Sequence, residues 1–255
     1  MEIPEGKVGW LINLDEFTSS EPDVQAAFYK VIHERKVGQR KLHPNVLIAM
    51  TGNYLTDNAV VNPLSSAIWS RIVTLHIEPN LNEWIDDYAI TNKFDPMLLG
   101  FIINNNILTD FNPSMESDRS FCCPRSWKNL NDLIVKNGGY DKEMLPAYAG
   151  TITPSVAVNL DNFYSISGQI VSIQEILKDP ENARIESRKN LQWATVAQII
   201  SNLNDENAID LFTYVARMDL SMQILMFRSA MSILPNLVTD SKFTPIIARL
   251  GREAF

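Results

Sequence analysis

Glycine is scarce in this 255-residue chain, with ten residues at positions 6, 9, 38, 52, 100, 138, 139, 150, 168 and 251. No two of them lie two positions apart, which excludes G-x-G-x-x-G. No two lie five apart, which excludes G-x-x-x-x-G-K-[ST]. Two common backbone cradles for phosphate are therefore missing from these residues. Cysteine is scarcer still. Cys122 and Cys123 are neighbours, a spacing that strains a mutual disulfide, and so few thiols fit a reducing compartment. With only three histidines beside them, the spacing of a structural zinc site is not met. A nucleophile elbow, G-x-S-x-G, is absent as well. No uncharged apolar run approaches the length of a membrane span. The start, Met1-Glu2-Ile3-Pro4-Glu5, lacks the basic and apolar regions of a signal peptide, so a cytoplasmic location is expected.

What is present is the composition of a folded domain, 45% hydrophobic and 20% charged, far from the profile of a disordered chain. The length implies one to two domains and suffices for a core without staples. Net charge is −8 and the sequence pI about 4.9. Most of the acidic excess falls in residues 81–168. Such a surface repels a phosphate backbone at long range and argues against general nucleic-acid binding.

Residues 1–79 read as alternating strands and helices. Val8 to Leu14 is a short apolar run, interrupted by Asn13 and ending at Asp15-Glu16, of the length of a buried strand. Ser20-Glu21-Pro22-Asp23 opens a helix. That helix carries Val24, Ala27, Phe28, Val31 and Ile32 on one face and ends near Arg35. Val37-Gly38-Gln39 suggests a tight turn. Asn45 to Thr51 is a second strand, closed by Gly52-Asn53. A short helix ends near Ser70, and Ile72 to Ile77 reads as a third strand. This order predicts a parallel α/β sheet. Beyond Pro79 helical periodicity takes over. Helices are expected near 82–92, 95–105, 124–136, 153–167, 187–203, 205–217 and 219–233, with loops at 109–120 and 137–150. The fold class is thus α/β followed by all-α, divided at 1–79, 80–168 and 169–255.

Four features carry chemistry. In an α/β sheet, ligands gather beyond the carboxyl ends of the strands. A strand-end Asp15 can hold Mg²⁺, and Glu16 beside it can orient and deprotonate a water, the pair that phosphoryl transfer needs. Asn53, at the end of the next strand, can hydrogen-bond a phosphate and that water. Arg71 can reach a phosphate on a neighbouring subunit. Arg125, after Pro124 in the first turn of a helix, can point toward a phosphate. Each also has an ordinary reading: a solvated acidic turn, an Asx turn, a surface ion pair and a solvated helix end.

Taken in order, W-L-I-N-L-D-E-F (10–17), V-Q-A-A-F-Y-K-V-I (24–32), V-L-I-A-M-T-G-N (46–53), S-R-I-V-T-L (70–75) and C-P-R-S-W (123–127) resemble the AAA+ ATPases. Within them the chain looks closest to the MoxR-type branch of bacteria and their phages. The resemblance covers about residues 4–167 and is most specific in the first 80. It implies a Walker B pair at Asp15 and Glu16, sensor 1 at Asn53, an arginine finger at Arg71 and sensor 2 at Arg125. It also implies a pre-sensor hairpin over 37–44, a helical lid over 82–167 and a helical C-terminal extension. ATP and Mg²⁺ are the implied cofactors. The implied assembly is a ring, usually hexameric, that remodels or matures other proteins, commonly partners with a von Willebrand A domain. Asn13 stands where the family's strand is usually apolar, and Cys123 where it often has Ser. The larger departure is the absent Walker A loop and its lysine. The chain therefore reads as the C-terminal portion of such an ATPase, expected to bind ATP poorly by itself. The alternative is a non-catalytic scaffold or regulatory subunit derived from the same core.

Other residues have two readings each. Arg35, Lys36, Arg40 and Lys41, flanked by His33 and His43, form either a channel-facing basic hairpin or a solvated turn. Met218, Met222 and Met226 recur every four residues, either as a partner-gripping surface or as core filling. His76 is read as a structural histidine within the third strand. The five tryptophans are scattered and read as core or interface.

Overall fold

The computed structural model describes residues 3–57, 59–112, 120–166, 170–239 and 241–254. The chain divides into two compact units, with the change at residues 77 and 78.

The first unit is built on two parallel strands, β1 (Trp10–Leu14) and β4 (Val46–Met50), paired from Trp10↔Val46 to Leu14↔Met50. The helix α1 (Pro22–Glu34) forms the crossover between them, as parallel pairing requires. Proline at its first position and Asp23 in its first turn suit the helix start. A small antiparallel hairpin follows, β2 (Lys36–Val37) and β3 (Arg40–Lys41), turning at Gly38 with φ +60°. Arg35 takes a left-handed conformation at the helix end, φ 53°, and its guanidinium donates to the Val46 carbonyl. That bond ties the end of α1 to the start of β4.

Alternation along the strands separates two faces. Val46 is 4% exposed, whereas Leu47 is 67% exposed. Leu11, paired with Leu47 in register, is exposed as well. Of the predicted α1 stripe, Phe28, Val31 and Ile32 are half-buried, while Val24 and Ala27 are exposed. Parallel strands are ordinarily covered on both faces; here one face is open. Buried apolar residues of this unit are correspondingly few: Phe17, Val46 and Ile68, with Phe28 edge-on to Phe17.

The expected third strand does not form. Residues 72–77 follow α2 (Ser66–Trp69) without joining the sheet, which has two strands. Val73, Leu75 and Ile77 are 89%, 79% and 88% exposed. The sequence has the β-branched alternation of a strand, but a strand needs a ladder neighbour as well as propensity. His76 is accordingly not a strand residue. Its ring stacks on Tyr54 at 5.5 Å and hydrogen-bonds the Tyr54 hydroxyl.

The second unit is helical. It opens with α3 (Leu81–Glu83), continued by a π-helical stretch over Trp84–Ile90. Then come α4 (Pro96–Asn105), α5 (Pro124–Lys136), α6 (Leu145–Thr151) and α7 (Pro154–Ser165). They are followed by α8 (Ile173–Lys178), α9 (Lys189–Ser201), α10 (Ala208–Val215), α11 (Leu220–Ile233) and α12 (Thr244–Ala254). Residues 137–150 are not a loop throughout. Lys142–Met144 make a 3₁₀ turn that leads into α6, and Asp141 caps it. Part of the predicted loop at 109–120, residues 113–119, lies outside the described residues.

Residues 80–168 and 169–255 share one hydrophobic core. At its centre α4 lies against α9. The approach is close: a Cβ on Gly100 would sit 3.3 Å from the Trp193 carbonyl oxygen, tighter than ordinary contact, so α4 or α9 would have to give by a few tenths of an ångström. Phe101 fills the space beside them, edge-on to both Trp127 and Phe163. Met218, Met222 and Met226 are all buried and act as core. Among the described residues no helix is long and apolar enough to cross a membrane.

Candidate functional site

The carboxyl ends of β1 and β4 are adjacent because the strands are parallel and in register. Asp15, Glu16 and Asn53 therefore arise at one edge of the first unit, and all three are exposed. A threonine holds the two strand ends together. The Thr51 hydroxyl donates to Oδ1 of Asp15 at 2.6 Å and accepts the Glu16 amide at 3.0 Å. Its main chain completes the stitch: the Thr51 amide donates to the Leu14 carbonyl at 3.0 Å, and its carbonyl accepts the Phe17 amide at 2.8 Å.

This stitch explains the backbone at Glu16, which is left-handed with φ 50°. Non-glycine residues rarely adopt that conformation, and its cost is met by surrounding bonds. The turn directs the chain from β1 into a 3₁₀ turn over Phe17–Ser19. Thr18 in that turn accepts the Asn53 amide through its hydroxyl at 3.1 Å. Gly52 lies against the same side chain. A Cβ at Gly52 would approach Thr18 Cγ2 and Oγ1 to 2.5 Å, so this position admits glycine alone without a local shift.

Thr51 leaves the second oxygen of Asp15, the Glu16 carboxylate and the Asn53 amide side chain without protein partners among the described residues. One carboxylate oxygen of Asp15 facing solvent fits a Mg²⁺ that keeps waters and phosphate oxygens as its other ligands. Among the described residues, no three His, Cys, Asp or Glu side chains gather as a protein-only metal site would require. A groove of about 310 Å³ lies elsewhere in this unit, lined by Pro22, Gln25, Tyr29, Pro63 and Ser65 among others. It is not at the strand ends.

Arg71 follows α2 and is held from several sides. Its Nε donates to His33 Nδ1 at 3.2 Å, and its Nη1 donates to the Ala67 carbonyl and the Ser70 hydroxyl, both at 2.8 Å. The guanidinium carbon lies 5.2 Å from the centre of the Tyr29 ring. Arg125 belongs to the second unit. It is exposed at the second position of α5. The cap of that helix is Cys123, whose sulfur accepts the Ser126 amide at 3.5 Å while Ser126 Oγ accepts the Cys123 amide at 2.8 Å. Cysteine thus takes the capping role that serine ordinarily fills.

Cys122, next to it, is fully buried. Burial pushes its thiol up to about 11. Asp110 accepts its amide at 2.6 Å and also the Thr153 hydroxyl, which fixes the chain entering α5.

In the basic hairpin, Arg35 is spent on the Val46 carbonyl and Lys36 pairs with Glu34 at 3.3 Å. Arg40 and Lys41 remain exposed. Thr51, Thr18 and Tyr29 carry no candidate role in the sequence, and His33 enters it only as a flank of the basic hairpin. The signal for the threonines was modest: one follows each strand, three residues from a candidate acid or beside a glycine. Compared with protein-family models, curated proteins and solved structures, the chain matches none.

Proposed function

We propose that the first unit carries the hydrolytic edge of a MoxR-like AAA+ ATPase site. The observation that supports this reading is the pair of threonine stitches at the carboxyl ends of two parallel strands: Thr51 holds Asp15 and Glu16, and Thr18 holds the Asn53 backbone. In this reading Asp15 holds Mg²⁺, which supplies charge neutralisation at the phosphates of ATP when bound. Glu16 orients and deprotonates the attacking water. The Asn53 amide hydrogen-bonds that water against the γ-phosphate. Arg71 reaches the nucleotide of a neighbouring subunit, and Arg125 senses nucleotide from the helical unit. In a ring, this hydrolysis is coupled to remodelling or maturation of partner proteins. No glycine-rich phosphate cradle lies within these 255 residues, so in this reading they bind ATP weakly by themselves.

The test is hydrolysis by the endogenous protein, purified as it occurs in its source, with intact mass recorded. Glu16→Gln should abolish turnover and leave ATP binding in place. An endogenous polypeptide of this length that neither binds nor hydrolyses ATP would overturn the reading. That result would favour the scaffold alternative, which the glycine pattern of these residues supports.

A further inference from the structure

The Arg71 guanidinium is the best-anchored exposed cation of the first unit, and its anchor is a pair of side chains on α1. Tyr29 and His33 are four residues apart, hence on one face of the helix. Their rings stack at 5.5 Å with 29° between planes. The guanidinium rests over the Tyr29 face, a favourable cation–π placement. Its Nε–H points into the Nδ1 lone pair of His33. Nη1 is used by Ala67 and Ser70. Nη2 has no partner among the described residues, so the guanidinium is held through Nε and Nη1 and keeps the N–H groups of Nη2 to donate.

We propose that His33 is a positioning residue for Arg71 and that its protonation state decides whether Arg71 is held. The inference rests on the ATPase reading for what Arg71 reaches, but the clamp itself does not. Nδ1 accepts from Arg71 only in the neutral imidazole carrying its proton on Nε2. Protonation turns Nδ1 into a donor, sets two N–H groups against each other and places a second cation beside the guanidinium. The clamp is therefore closed when His33 is neutral and open when it is charged. The groups facing the imidazole are few. Tyr29 comes from its own helix and Arg71 from the turn after α2. Glu34, next in sequence, is paired with Lys36 of β2, and no carboxylate bonds to His33 among the described residues. A fixed planar fork loses less freedom on meeting a phosphate than a mobile one, so releasing Arg71 costs catalysis through misplacement, on the order of 10²-fold for an ångström.

Two variants separate the acceptor from the ring. His33→Asn offers an amide oxygen near the Nδ1 position and cannot titrate. His33→Phe keeps an aromatic face for Tyr29 and removes the acceptor. In the 255-residue chain, ¹⁵N spectra at neutral pH should show His33 as the Nε2–H tautomer and an Arg71 Nε–H protected from exchange. That protection should vanish on acidification and in His33→Phe, and persist through acid in His33→Asn. Equal protection in wild type and His33→Phe at neutral pH would overturn the proposal. In the endogenous ATPase, His33→Phe should lower kcat about 10–100-fold with little change in KM. His33→Asn should keep kcat near the wild-type value and lack the acid-side loss expected of wild type. Unchanged kcat in His33→Phe, with turnover otherwise normal, would also overturn it. If the endogenous protein hydrolyses no ATP while the spectra follow the expected pattern, the clamp stands and only the ATPase reading falls.

Discussion

The Thr51 hydroxyl lies 2.6 Å from Asp15 Oδ1 across the two parallel strands, and the same oxygen receives the Glu16 amide. One side chain thereby fixes both acids: Asp15 by its carboxylate, Glu16 by its backbone. Thr51→Val keeps the shape and removes both bonds. Because the group is exposed, the stability loss should be modest, about 0.5–1.5 kcal/mol by chemical denaturation. Thr51→Ser should retain most of the wild-type stability. A valine variant as stable as wild type would show that solvent replaces the hydroxyl freely.

Gly52 and Thr18 form the second stitch, and here the constraint is steric. Gly52→Ala puts a methyl 2.5 Å from two atoms of Thr18. The expected cost is about 1–3 kcal/mol, as for other overpacked sites. Thr18→Ala in the same chain removes the opposing atoms, so the double variant should be more stable than the sum of the single effects. Denaturation midpoints of the four proteins measure that coupling. Strict additivity would mean that the 3₁₀ turn simply moves aside.

The two faces of the sheet give a sharper contrast. Val46→Ala empties a buried position and should cost about 1–3 kcal/mol. Leu47→Ala, one residue on and largely exposed, should change stability by less than about 0.5 kcal/mol. Equal losses at the two positions would mean that the open face is covered in solution.

The strand, crossover helix and strand of the first unit were legible because their signals are local: apolar runs of strand length, a capped helix start and a glycine stop. Asp15, Glu16 and Asn53 come together for the same reason, since residues at the ends of adjacent parallel strands must be neighbours. Residues 72–77 read as a strand but form none, because apolar patterning reports only what a chain prefers. Whether a ladder neighbour lies beside it is a non-local fact. The helix α6 was hidden by Gly138, Gly139 and Pro146, which read as loop although the proline sits in the first turn of a helix. The roles of Thr51 and His33 depend on contacts between residues 36 and 38 positions apart, beyond the reach of any spacing rule.

The adjacent cysteines should behave differently from each other. Cys122 is buried and its thiol is raised to about 11, so it stays protonated and shielded at neutral pH. A thiol reagent should leave it unmodified in the folded chain and modify it on denaturation, as read by intact mass. Cys123 is half-buried and caps α5. Cys123→Ala should cost about 1 kcal/mol, the usual loss of an N-cap, while Cys123→Ser should cost little. Rapid native labelling of Cys122 would mean that the start of α5 opens readily.

Alkali should attack the helical unit through its tyrosines. Tyr164 donates to Asp95 Oδ1 at 2.6 Å, and Tyr140 donates to Asp161 Oδ1 at 2.9 Å. The two rings stack at 4.0 Å. Burial first, then the adjacent carboxylates, raise both phenols. Tyr214, which donates to the Arg184 carbonyl at 2.7 Å, is raised to about 12, again chiefly by burial. Each phenol is held neutral in the folded state and ionises near 10 in an unfolded chain. Above that pH the unfolded state binds fewer protons than the folded one, so stability falls as pH rises. The stability these groups contribute is whole below about pH 10 and is lost progressively from there through their folded-state values. Followed together from about pH 9 upward, the part of the tyrosinate absorbance that comes from these three phenols should appear only as helical circular dichroism is lost. Tyr164→Phe leaves Asp95 without its hydroxyl donor and should lower stability at neutral pH by about 1–3 kcal/mol. It should also flatten the alkaline decline. Ionisation of all seven tyrosines near pH 10 with helicity intact would show that Tyr140, Tyr164 and Tyr214 are not held neutral by the fold.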